Sequence, residues 1–198
     1  MEKINLKELE LRFRADLAQK RVLYLGNNLE FSDVIYVSKA ITWMNAQDTD
    51  ASITLRINSN GGSIPVGLDI YDIIRESKAP VVGIVMSRAN SMASIVLQGC
   101  VRRIALPHAT IFLHRVNTDV HMEESVFAGD TLDFRAHKKR MGKVIRDGEK
   151  YQTILEKIYS KRSGQDIKKI RSLVAGNGTH LSAQKALRLN LVDEIKNQ

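Results

Sequence analysis

The stretch MSRANSMASIVLQGC, residues 86–100, holds the choice on which the fold turns. A nearly all-apolar run, PVVGIVM at 80–86, leads into it, and a second apolar run follows Ser91. The first reads as a strand covered on both faces, the second as a helix starting at about Ser91. Ser91 therefore sits on a strand-to-helix turn, and two readings of it are open. A serine there can cap the helix by accepting from a free backbone N–H. It can also be a nucleophile on a sharp turn, which requires small residues two places before and two places after, because backbone approaches backbone. Ala89 and Ala93 meet that requirement. The unpaired N–H groups of the helix's first turn can then stabilise an oxyanion.

Working outward, SITLRINS (52–59) reads as a strand broken by NGG at 60–62, and RVLYLG (21–26) as a shorter one. SDVIYVSKAITWMNA (32–46) and SIPVGLDIYDIIRES (63–77) read as helices capped by Ser32 and Ser63, with Pro65 in the first turn of the second. Proline is harmless there because its missing N–H has no partner to lose. VRRIAL (101–106) and TIFLH (110–114) read as strands. Strands alternating with helices give βαβ units and a largely parallel sheet. Right-handed crossovers put the loops after the strands on one edge, where ligands bind. NSNGG and SRANS both lie on that edge.

At the N-terminus, Leu6, Leu9, Phe13 and Leu17 recur at helical spacing, so residues 1–20 read as an amphipathic helix in need of a partner surface. That surface is either its own domain, taken as 21–198, or a neighbouring subunit. Beyond His114 the pattern changes, over a stretch of about 115–163. Its first half is irregular and polar; from Thr131 to Ser163 helical spacing dominates, broken by Gly142 and Gly148. SGQDIKKIRSLVA (163–175) is a further helix, SAQKALRL (182–189) a helix capped by Ser182, and LVDEI (191–195) a closing strand.

Bulk properties exclude several classes. The 198 residues suffice for one domain with a buried core, and 43% hydrophobic with 26% charged residues is ordinary for a globular chain. The net charge of +8 invites nucleic acid as a partner. Yet the basic residues, such as Lys138 to Arg140, Lys143, Arg146 and Lys150, follow helical patterns with acids interleaved and no stacking aromatics. They read as solvated helix faces, not a nucleic-acid surface. No apolar run approaches a membrane span and no signal-peptide core precedes the first strand, so the expected location is the cytoplasm or an equivalent matrix. The single Cys100 excludes an internal disulfide and reads as a small buried apolar residue. No histidine spacing suits a metal, and neither a Walker loop nor G-x-G-x-x-G appears, so no metal or cofactor is expected.

Two further features lie near Ser91 in the expected topology. The pair Gly61-Gly62 ends a strand, either as an ordinary tight turn or to let a backbone amide approach a ligand. His114 ends an apolar strand, either as a satisfied core residue or as a partner for Ser91 at an adjacent strand end. Each signal is weak alone, but their order is specific: strand, INSNGG, helix, strand, ANSMAS, helix, strand, strand, FLHRV.

In that order the chain resembles the ClpP family, the proteolytic subunits of Clp proteases, whose members read close to INSPGG, then ASMGA or ASMAA, then MIHQP. The resemblance runs from about Arg21 to His114 and resumes in YSKRSGQDIKKI and LSAQKALRLNLVDEI. It implies the ClpP/crotonase fold, with repeated βαβ units, a largely parallel sheet and a helical handle insertion. It implies a serine endopeptidase acting on unfolded polypeptides or peptides inside a homo-oligomeric chamber of heptameric rings. An ATP-driven Clp unfoldase would feed the chamber and carry the ATP site. Ser91 matches the nucleophile, His114 the general base, and the backbone amides of Gly62 and Met92 the oxyanion hole.

The sequence departs from the family in places. Counting back from Ser182 puts Gly178 where the family has its triad aspartate, and a shift of one puts Asn177 there. The third member is therefore unassigned: Asn177 is the local candidate, and Asp119, Asp130 and Asp133 are remote acids. RVNTDVHMEESVFAGDTLDFRAHKKR (115–140) replaces the family's glycine-rich strand, and Ser87 and Asn90 stand where glycine and a small residue are preferred. These departures support an alternative, a catalytically impaired structural subunit of a mixed ring. A crotonase-type acyl-CoA enzyme is disfavoured because neither strand-end loop carries a glutamate, and a serine–lysine peptidase because no lysine is placed for it.

Overall fold

Buried residues alternate along the second strand, Ile53, Leu55 and Ile57 pointing inward at 0% exposure, and such strands stack into a sheet covered by helices. The structure is a computed structural model that describes residues 5–117 and 134–196. In chain order the elements are α1 (Leu6–Gln19), β1 (Val22–Leu29), α2 (Phe31–Gln47), β2 (Ile53–Gly62), α3 (Ile64–Glu76), β3 (Val81–Asn90) and α4 (Met92–Gly99). They continue as β4 (Arg102–Ala105), β5 (Thr110–Leu113), α5 (Phe134–Ser163), α6 (Ile167–Val174), β6 (Thr179–Ser182), α7 (Ala183–Arg188) and β7 (Glu194–Ile195). The fold is α/β. Strands β1-β2-β3-β4-β7 lie side by side and all parallel.

The sheet divides at β3. Its Val82–Val85 half pairs with β4, whereas Arg88–Asn90 pairs with β5. One edge of β3 is thus handed from one partner to the next, which carries β5 farther along the strand direction than β4. β6 then adds antiparallel to β5, pairing Leu113 with Thr179. This short strand was not expected from sequence; THLS is too short to show a period.

Helix α4 is buried along all eight of its residues, as expected for a helix that is apolar all round. Side chains such as Leu23, Met44, Ile70, Ile95 and Leu97 pack at 0% exposure, each stabilising by about 1.5–3 kcal/mol relative to exposure. Cys100 joins this core, and burial pushes its thiol up to about 12. Arg103, from β4, is buried against the Asp193 carboxylate just before β7. It also donates to Gln98 Oε1 at 2.6 Å and to the Arg162 carbonyl at 3.3 Å, tying α4 and α5 to that edge.

Several sequence expectations shift. The cap of α2 is Glu30, not Ser32: Asp33 reaches back to accept from the Glu30 N–H at 3.0 Å, completing a capping box two residues early. Ser63 holds the cap position of α3 without a side-chain bond, and Ser182 caps α7 by accepting from Lys185 N–H at 3.3 Å. Gly142 and Gly148 do not break α5, which runs 30 residues. A glycine costs only about 1 kcal/mol inside a helix, and α5 ends at Ser163, just before Gly164, whose φ of 70° suits a C-terminal cap. The amphipathic N-terminal helix forms, yet Leu9 and Phe13 are 53% and 56% exposed. Arg14 fastens it to α2, 3.6 Å from Asp33 and 4.6 Å above the Tyr36 ring.

Candidate active site

β2 and β3 each run on into the turns that sequence reading placed after them, and the two turns meet. Ser91 occupies the N-cap position of α4, but its hydroxyl caps nothing. Oγ instead lies 2.8 Å from Nε2 of His114. The backbone at Ser91 has φ 51° and ψ −125°, a strained conformation for a residue with a side chain. Three bonds hold it there. Ser91 N–H donates to the Phe112 carbonyl at 2.8 Å, extending the β3–β5 ladder into the turn. Its own carbonyl accepts from Ser94 N–H at 2.9 Å and from Ser94 Oγ at 2.6 Å. Ala89 and Ala93 are buried at 0% and 1%, the small residues that a sharp turn of this kind requires.

The glycine pair has two distinct duties. A Cβ on Gly61 would come within 2.8 Å of Ser91 Cβ and 2.9 Å of Met92 N, and its φ is 93°. A Cβ on Gly62 would come within 2.5 Å of the Leu29 carbonyl oxygen in β1. Gly61 is therefore needed so that the β2 turn can touch the serine turn, and Gly62 so that it can touch β1. Buried Ser59 steadies the arrangement, donating from Oγ to the Asn27 carbonyl at 2.6 Å and accepting from Gly61 N–H at 3.1 Å. Met92 is the first residue of α4, so its N–H has no acceptor within the helix.

His114 follows directly on β5. Its ring stacks on Phe112 at 5.2 Å between centroids, and Phe112 stacks on His180 at 4.0 Å. The β5–β6 ladder brings Gly178, not Asn177, against His114. A Cβ on Gly178 would meet His114 Cβ at 2.6 Å and the Leu113 carbonyl oxygen, and φ there is 79°. Asn177 is exposed in the preceding turn, and among the described residues no hydrogen bond joins it to His114. Nor does any carboxylate among the described residues bond to that imidazole. Asp119, Asp130 and Asp133 lie outside the described residues.

Gly62, Ser91, Met92 and His114 line one cavity of about 140 Å³, walled by apolar atoms of Ile64, Ile95, Val116 and Leu155 and by Tyr159. Burial raises the Tyr159 phenol above its usual pKa, against the smaller effect of its hydrogen bond to Ser94, so it stays a neutral hydroxyl. Tyr159, Ser59 and Phe112 were not singled out from sequence. Only Ser94, three residues past Ser91 on a buried helix, offered a signal. Among the described residues no group of three His, Cys, Asp or Glu is placed to hold a metal.

A hydroxyl and an imidazole meeting beside two glycine- and helix-turn amides is a peptidase-like arrangement, and comparison with known proteins points the same way. The model of the family described as Clp protease matches residues 7–198. The chain belongs to the Clp protease family. ATP-dependent Clp protease proteolytic subunits from Oltmannsiellopsis viridis and Chlorella vulgaris are each 29% identical to it over 181 residues. These alignments cover 90% of this chain and 85% and 83% of those proteins. The corresponding subunit from Ostreococcus tauri is 30% identical over 181 residues, covering 90% of this chain and 83% of its own. The Clp protease match takes in the Ser91 turn, the glycine pair, His114 and all of α5, so the chain is of the serine-peptidase class. Among the described residues no helix is long and apolar enough to cross a membrane.

Proposed function

We propose that this chain is a serine endopeptidase that cleaves unfolded polypeptides or peptides through an acyl-enzyme. The 2.8 Å approach of Ser91 Oγ to His114 Nε2 on a strained turn carries the reading. Ser91 Oγ attacks the scissile carbonyl carbon while His114 Nε2 takes its proton. The carbonyl oxygen becomes an oxyanion and receives hydrogen bonds from the N–H groups of Gly62 and Met92. The C–N bond then breaks, and His114 returns the proton to the departing amine. Water attacks the ester, again losing a proton to His114, and the second fragment leaves with Ser91 restored.

The stack on Phe112 contributes to the orientation of His114, and no role is assigned to Asn177. Among the described residues no carboxylate bonds to His114, and a triad that lacks one loses up to about 10⁴ in turnover, so slow hydrolysis is the proposed outcome. The acylation machinery would work inside a homo-oligomeric ring, heptameric and single or double. Leu9 and Phe13 on α1 and Phe31 and Trp43 on α2, all exposed, offer such an assembly apolar surface to bury. The relatives are called ATP-dependent, and this sequence lacks a nucleotide loop. An ATP-driven Clp unfoldase is therefore the proposed partner, in the cytoplasm or a comparable matrix.

The collision that awaits any side chain at position 178 favours a second reading, an impaired subunit that builds a mixed ring beside active ones. Hydrolysis of a fluorogenic peptide by purified chain, with Ser91→Ala as control and particle mass followed by light scattering, separates them. The peptidase reading expects slow hydrolysis that the substitution abolishes, in a ring-sized particle. Hydrolysis absent from a ring-sized particle, with or without a Clp unfoldase and ATP, gives the scaffold reading instead.

A further inference from the structure

Resting on the peptidase reading above, we infer that Gln152 and Tyr159 on α5 are positioning residues that fix how His114 approaches Ser91. Gln152, Glu156 and Tyr159 are spaced i, i+4 and i+7 on one face of α5 and are 7%, 6% and 4% exposed. Buried polar groups are costly unless hydrogen-bonded. All three are bonded, and the bonds lead to the two halves of the reactive pair.

One half is the segment just past the imidazole. Gln152 Oε1 accepts from the backbone N–H of Val116 at 2.7 Å, two residues beyond His114. The amide cannot be turned over without loss, because its Nε2 donates to Glu156 Oε1 at 2.9 Å. The other oxygen of Glu156 accepts from Arg171 Nε at 2.9 Å. Arg171 and Glu156 thus dictate which end of Gln152 faces the His114 segment.

The other half is the serine turn. Tyr159 OH and Ser94 Oγ are 2.6 Å apart, and Ser94 Oγ is 2.6 Å from the Ser91 carbonyl oxygen. The carbonyl only accepts, so Ser94 spends its one proton there and Tyr159 must donate to Ser94. A chain of two hydroxyls therefore runs from α5 to the carbonyl of the strained residue. Seven helical residues separate the two anchor points by about 10 Å along a stiff rod. This helix face thus anchors both halves of the reactive pair and so bears on the distance between them. Displacement by about 1 Å can cost ~100-fold in rate.

The test uses the full-length chain with Tyr159→Phe, Ser94→Ala and Gln152→Met, each assayed well below its own melting temperature. Two quantities are read. One is the second-order rate of Ser91 labelling by a fluorophosphonate. The other is the ¹⁵N resonance of His114 Nε2, assigned by its loss in His114→Ala. Each substitution is expected to slow labelling about 5- to 50-fold and to move the resonance, with peptide KM unchanged within about twofold in Ser94→Ala and Gln152→Met, neither of which lines the cavity. Combining Ser94→Ala with Tyr159→Phe should add little, since both cut one chain. A fall in melting temperature alone, with labelling rate and resonance as in the parent, makes the three merely structural and overturns the inference. A parent that never labels sinks the peptidase reading, and the resonance then decides the positioning role by itself: moved, it stands; unmoved, it falls.

Discussion

Counting back from Ser182 sets Gly178, or by a shift of one Asn177, where the resembled family carries an acid, and the geometry at Gly178 says what an acid there would do. Gly178 adopts φ 79° and leaves no room for a Cβ beside His114. Gly178→Asp is therefore expected to lower both peptide hydrolysis and melting temperature rather than rebuild a triad, at a stability cost of about 2–4 kcal/mol. Hydrolysis rates and thermal melts of the variant check this; a gain in rate would show that the strand end yields. That Ser91, His114, Gly62 and Met92 meet was legible because each lies in a short motif at a strand end. Gly61 was singled out only as one of the glycine pair, and its contact with the serine turn was not legible, nor were Ser59 and Tyr159, because what they touch is distant in sequence: Gly61 meets a turn 30 residues away, and Tyr159 a helix 65 residues away.

Elements were legible where the period was long. β1, β2, β3 and the helices between them follow the expected alternation. Their ends moved because ladder bonds continue wherever a partner strand does, and β3 goes on past the apolar run to reach β5. The turn residues NSNGG and SRAN thus became strand. β6 could not be foreseen, since four residues carry no usable pattern and its partner is set by tertiary pairing. In α5 the two glycines were overweighted. Gly142 is partly exposed, and a Cβ there would meet, among the described residues, only the tip of Arg146 at 3.3 Å. Gly142→Ala should accordingly stabilise the protein, by up to about 1 kcal/mol, read as a higher urea midpoint. A lower midpoint would mean that this face of α5 is packed against something.

Across the whole molecule, the Arg103–Asp193 pair joins the β4–β7 edge of the sheet to α4 and α5. Burial tends to raise the Asp193 pKa, but hydrogen bonds from Arg103 outweigh it and hold the carboxyl below its usual 3.8. A folded pKa below the unfolded one gives stability that is present above pH 4 and is lost as the pH falls through the folded value. Asp193→Asn is expected to cost about 1–3 kcal/mol near neutral pH, less than a fully buried pair because the Asp193 side chain is 37% exposed. Urea midpoints at pH 7 and pH 3 should show the gap between parent and variant narrowing in acid. A gap that stays constant would mean the carboxylate's charge is irrelevant.

The most direct test of the central claim is chemical: treat the native chain with a fluorophosphonate and locate the adduct by peptide mass spectrometry. The account predicts one modified residue, Ser91, with modification lost in Ser91→Ala and slowed at least about 100-fold in His114→Ala. An unmodified Ser91 in the folded chain, or labelling that ignores the loss of His114, would contradict it.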